Sequence, residues 1–153
     1  MGVIVVIVVS ALGYLAYREW GVSRVQQLHF VDDYSGIPPV QCVGRSSGFA
    51  GYDVGTTSFA HGLIRSDATA HGKDGISHLH MLVTKDKTFY MWNDESTDGT
   101  LLRVSKKVGP VDQKIANIID LPVFVHSVCA PWVGVDESLF QMPRDVTFTD
   151  ISQ

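Results

Sequence analysis

The sequence carries no basic stripe, no internal repeat and no catalytic signature. Its 12 Lys and Arg are scattered among 16 Asp and Glu, for a net charge of −4. Neither nucleic acid nor an anionic lipid surface would find a cationic face to bind. A Gly-x-Ser-x-Gly elbow is absent. The glycine clusters Gly44 to Gly55 and Gly72-Lys73-Asp74-Gly75 match neither a phosphate loop nor a dinucleotide fingerprint and read as turns. Paired carboxylates at Asp32-Asp33, Asp94-Glu95 and Asp136-Glu137 fall in expected loops, where solvated charge is the ordinary explanation. These absences argue against an enzyme and call for no cofactor.

Cysteine is also scarce. Cys42 and Cys129 are the only two, 87 positions apart, too few for a structural zinc site unless histidines complete it. A disulfide between them is the natural reading, with two buried thiols as the alternative. The bridge would require an oxidising compartment, and closing so long a loop stabilises a fold by about 4–5 kcal/mol in the chain-entropy model. Of the six histidines, His78 and His80 share one face of an expected strand, a spacing that metal sites use. No acidic residue or cysteine neighbours them at ligand spacing, so they read as structural and no metal is expected. His61 and His71 sit in turn-rich sequence and His126 in an expected strand, none with an assignable partner.

The one long apolar run is residues 2 to 17, which contain no charge and are followed by Arg18, Glu19 and Trp20. Counted to Trp20, a helix here is about 28 Å long, close to the roughly 30 Å of a hydrocarbon core, with Trp20 at the interfacial belt. An uncleaved single-span anchor is expected. A cleaved signal peptide would want a basic leader and a small-x-small site, and Ala11-Leu12-Gly13 is a poor version of the latter. Arg18 and Arg24 after the span would keep the following domain in the cytoplasm under the positive-inside rule; the expected disulfide places it outside. A short amphipathic helix through Val22, Val25 and Leu28 continues from the anchor until Pro38-Pro39 ends it.

The fourteen glycines and six prolines fall between short runs of strand formers, which favours a turn-rich β protein. The centre of the expected sheet is a hairpin over His78–Trp92, turning at Lys85-Asp86-Lys87. Leu79, Met81 and Val83 share one face of its first strand and His78, His80 and Leu82 the other; Phe89 and Met91 oppose Tyr90 and Trp92 on the second. Further strands are expected at 40–43, 49–52, 58–65, 101–105, 123–129 and 146–151, as an antiparallel meander. One helix follows Gly109-Pro110, with Val111, Ile115, Ile118 and Ile119 on one side, and closes at Leu121-Pro122.

A series of short motifs runs through residues 40 to 150. Cys42 is followed by Gly62-Leu63-Ile64-Arg65-Ser66-Asp67, His80-Met81-Leu82-Val83, Tyr90-Met91-Trp92, and Gly99 before Leu101. Cys129-Ala130-Pro131-Trp132, Asp136-Glu137-Ser138-Leu139-Phe140 and Pro143-Arg144-Asp145-Val146-Thr147-Phe148 complete it. In this order the motifs resemble small membrane-anchored proteins of candidate-phyla bacteria and, more distantly, the LolA-like and LppX-like lipoprotein-carrier superfamily. That resemblance implies an α+β, mostly β fold: a curved antiparallel half-barrel sheet covered by one or two helices, enclosing an apolar cavity for acyl chains. The carriers are soluble or held by a lipidated cysteine, whereas here an anchor helix takes that place.

The expected organisation is an anchor helix over 1–20, a helical linker over 21–39 and a LolA-like β domain over 40–153, on the extracytoplasmic side of the cell membrane. The domain would bind a lipid or other apolar ligand, or an envelope protein, against Leu79, Met81, Val83, Phe89 and Met91 with Ile115, Ile118 and Ile119 from the covering helix. The alternative is a structural component of an envelope or surface-filament assembly, although a pilin-like helix would carry its glutamate earlier than Glu19.

Overall fold

Side-chain alternation decides which side of each strand is buried, and here it aligns one buried apolar residue from each of six strands in one row. Val40, Phe59, Ile64, Val83, Phe89 and Leu102 are successive partners across the sheet. All six are buried, with Val40 and Val83 at 0% exposure. A computed structural model of the protein describes residues 2–25, 35–44, 52–72, 75–103 and 127–152. Its elements are a helix, α1 (Gly2–Val25), and eight strands: β1 (Val40–Gly44), β2 (Tyr52–Ala60), β3 (Leu63–Gly72), β4 (Gly75–Val83), β5 (Thr88–Asn93), β6 (Asp98–Arg103), β7 (Ser127–Pro131) and β8 (Thr147–Asp150), with a 3₁₀ turn at Glu137–Phe140 before β8.

The strands form one open sheet in the order β7-β1-β2-β3-β4-β5-β6-β8. From β1 to β6 it is the expected antiparallel meander. The two ends depart from it: β7 returns beside β1, and β8 runs parallel to β6, so the sheet is mixed. Residues 132–146 carry the chain from one edge to the other. They leave β7 level with Val40 and rejoin the sheet at Thr147 opposite Asp98, the far end of β6.

The β4–β5 hairpin has the expected faces and turn, one place off the centre of the sheet. Val83 pairs with Phe89 and Met81 with Met91. Its turn is closed by Lys87 N donating to Thr84 O (2.9 Å) and Thr84 N donating to Thr88 O (3.0 Å), with Lys87 left-handed at φ 63°. This is a three-residue loop ending in a left-handed residue, a common hairpin connection. The Asp86 carboxylate accepts from the Thr84 hydroxyl and from Thr88 Oγ1 (3.0 Å). These bonds, that from Thr84 foremost, hold its carboxyl below the usual carboxylate range against the opposing effect of desolvation.

Three strand expectations need correction. The stretch 58–65 is two strands, because His61 and Gly62 take positive φ (54° and 75°) and make a two-residue turn between β2 and β3. His71 lies within β3 rather than in a turn. The expected 101–105 strand begins earlier, at Asp98. The segments 45–51, 104–126 and 26–34 lie outside the described residues, and with them the expected 109–121 helix, Ile115, Ile118, Ile119 and His126.

Among the described residues, helix α1 meets the rest of the chain through its C-terminal turns. Gly21 sits on Pro38, where a Cβ would fall 2.1 Å from the proline Cγ. Val22 packs against the buried cluster of Ile37, Val40, Cys42 and Phe59, and Tyr17 OH donates to Gly36 O (3.3 Å). A glycine inside a helix costs roughly 0.5–1 kcal/mol, and here that cost permits the close approach.

Candidate functional site

Two features stand out among the described residues: a charged cluster on one sheet face and the apolar surface of α1. The cluster follows from register. Asp67 on β3 faces His80 on β4, which faces Trp92 on β5, and Arg65 lies two residues from Asp67 on the same side. Arg65 Nε donates to Asp67 Oδ1 (2.8 Å) and its Nη2 reaches the same oxygen (2.6 Å). The guanidinium carbon lies 4.5 Å from the Trp92 ring centroid, a cation–π geometry.

His80 donates from Nε2 to Asp94 Oδ1 (2.8 Å). Its Nδ1 lies 2.6 Å from Asp67 Oδ1 and 2.9 Å from Arg65 Nη2. With a proton it donates to the carboxylate; without one it accepts from the guanidinium. The His80 and Trp92 rings are 5.5 Å apart, and Phe148 meets Trp92 and Tyr90 edge-on. Phe148 occupies the space above Gly99, where a Cβ would meet its ring at 2.7 Å. Arg65 and Trp92 are buried.

Chemically the cluster is turned inward. Both ring nitrogens of His80 face a carboxylate, Arg65 is stacked and doubly paired with Asp67, and no serine or cysteine stands among them. Among the described residues no group of three or more His, Cys, Asp or Glu is disposed to hold a metal ion. What the cluster does is tie β3, β4 and β5 together with charge-assisted bonds.

The expectation that His80 lacks an acidic neighbour is thus corrected: Asp67 and Asp94 come from other strands, invisible to local spacing. His61 likewise meets Glu137 at 2.8 Å, and His78 Nδ1 is 3.3 Å from Thr69 Oγ1. Asp136, taken as simply solvated, caps the 3₁₀ turn by accepting from Ser138 N (3.0 Å) and Oγ (2.6 Å), which lowers its carboxyl from the ordinary value.

The residues expected to line a ligand cavity lie together on the opposite face. Met81, Val83 and Phe89 are buried in the core, while Met91 is half-buried against it and Leu79 is half-buried nearby. The same face holds the disulfide, Cys42 to Cys129, between directly opposed residues of β1 and β7. Among the described residues there is no free cysteine.

Helix α1 is the outlier. Leu12 (60%), Tyr14 (60%), Leu15 (53%), Tyr17 and Trp20 are exposed, and at about 100° per residue they point to every quarter of the helix. Among the described residues no helix is long and apolar enough to cross a membrane, the side chains at 2–9 and 11 falling outside them. No family model, curated protein or solved structure matches the chain.

Proposed function

We propose that this is a single-span membrane protein whose β domain is an extracytoplasmic interaction module. The observation that carries the reading is the exposure of apolar side chains on all sides of α1. A helix that is hydrophobic all round is stable when buried in protein or lipid, and among the described residues its last turns are the ones that meet the sheet. Residues 2–17 carry no charge, and counted to Trp20, short of the turn that meets Pro38, α1 is about 28 Å long, close to the roughly 30 Å of a hydrocarbon core. Tyr17 and Trp20 stack with ring centroids 6.0 Å apart, as an interfacial aromatic pair would. The disulfide favours the oxidising side of the membrane.

The module binds through its sheet, to an envelope partner or to an apolar ligand. Lipid binding in a curved, half-barrel sheet of the LolA-like and LppX-like kind is the second reading. It is favoured by half-buried Leu79 and Met91, which lie on the face α1 packs against, at the end away from the α1 contact. A filament or envelope scaffold is the alternative, in which copies of α1 bury one another.

The test is made on the full chain in cells. It should stay with membranes through an alkaline carbonate wash, and its thiols should resist alkylation until a reductant is added. A chain released by carbonate, with both thiols freely alkylated, would overturn the reading. A ladder of homo-oligomers on cross-linking would favour the scaffold instead.

A further inference from the structure

Building on the membrane reading, we infer that the β domain does not swing on a tether but rests on the bilayer through one defined end of its sheet, with the lipid headgroup layer as its partner. The end is fixed by how α1 is held. Tyr17 meets Gly36, Gly21 meets Pro38, and Val22 packs against the buried core cluster. The helix and the chain leading into β1 therefore run inward side by side. Residues 2–16 must project beyond the end of the sheet where β1 begins, by about 22 Å at 1.5 Å per residue.

The same end gathers three turns. Gly62, in the β2–β3 turn, has Ser35 Cα within 3.3 Å and Lys85 Cε within 3.4 Å of its Cβ position. The β4–β5 turn and the 35–36 turn thus stand beside it, next to Tyr17. Trp132 N donates to Pro39 O (2.9 Å), which brings Val133, 73% exposed, to this end as well. An apolar side chain so exposed is suited to the interfacial zone, and Lys85, in a turn at the same end, can reach headgroup phosphate with its stem in the apolar layer.

Charge identifies the kind of surface. Among the described residues at this end, Arg18, Lys85, Lys87 and Arg103 are met by Glu19, Asp86, Asp136, Glu137 and Asp150, with Glu137 paired to His61 and Asp150 to Arg103. With charge so nearly balanced among the described residues, the end fits a zwitterionic headgroup layer better than an anionic one. The opposite end of the sheet bears Ile76, exposed, seven residues before Val83 on β4, and so about 23 Å farther from the bilayer at the rise of a strand.

The experiment places a fluorescent amino acid at position 85, 133 or 76 of the full chain, reconstituted in phosphatidylcholine vesicles with or without a headgroup-attached quencher. Emission from positions 85 and 133 should fall by half or more, and that from 76 should hold. Gly21→Leu, which drives a side chain into Pro38, should leave the chain in the vesicles but erase the difference between the two ends. Retention in vesicles with equal quenching at 85, 133 and 76 would overturn this inference alone. Failure to enter the vesicles would overturn the membrane reading beneath it.

Discussion

The sheet and helix α1 draw on the same residue types and treat them oppositely. Val40, Phe59, Val83 and Phe89 are buried to within 2% of complete, each surrounded by neighbours that alternation across six strands brings into line. Leu12 and Leu15 remain more than half exposed, although a leucine gains roughly 1.5–3 kcal/mol on leaving water. The buried row of the sheet is covered by its own neighbours, although Val43, Ile76 and Val128 at other positions of the strands stay exposed. Among the described residues the helix is covered by the domain at Gly21 and Val22, and on the proposed reading lipid covers the exposed remainder.

Substitutions should sharpen this contrast. The largest effect is expected from replacing both Cys42 and Cys129 with serine, a loss of about 4–5 kcal/mol, read as a shift in the denaturation midpoint that reductant reproduces in the native chain and leaves unchanged in the variant. Phe89→Ala, in the middle of the buried row, should cost about 3–4 kcal/mol through the cavity it leaves. Asp67→Ala deprives the buried Arg65 of its main partner. Because Asp67 is 32% exposed, the expected cost is about 2 kcal/mol, below that of breaking a fully buried pair.

Smaller still is Asp86→Asn in the hairpin turn. The folded carboxyl is held below its ordinary value by Thr84 and Thr88, so its contribution is present above the unfolded value and fades as pH falls through the folded one. The native chain should lose stability on acidification below the ordinary carboxylate range, and the variant should show a shallower acid limb. At the far end of the scale, Leu12→Ser with Leu15→Ser should leave the midpoint of the β domain unchanged within about 0.5 kcal/mol while weakening retention in membranes. An equal loss in the domain would mean that these leucines pack against it.

Local pattern made the β4–β5 hairpin readable. Alternation over His78–Val83 and Phe89–Trp92 assigned each residue to its face, and Lys85-Asp86-Lys87 marked the turn, because a strand's period and a hairpin's loop are local properties. The pairing of Cys42 with Cys129 was legible because no other cysteine competes. The polar cluster was not. Asp67, His80 and Asp94 are separated in sequence by more than ten residues, and only the register that sets Ile64 opposite Val83 brings Asp67 to His80. The turn at His61-Gly62 was hidden for a related reason: positive φ at a histidine leaves little trace in composition. The parallel placement of β8 depends on where the 132–146 crossing ends, which strand propensity does not encode.

The central claim is that the apolar surface of α1 faces lipid while that of the sheet faces protein. It is tested most directly by reconstituting the full chain with a photoactivatable phospholipid and mapping the adducts by mass spectrometry. Adducts confined to α1, on residues up to Trp20, are the predicted result. Adducts on Leu79 or Met91 with none on α1 would contradict it, since the lipid would then occupy the sheet and the helix would have found its cover elsewhere.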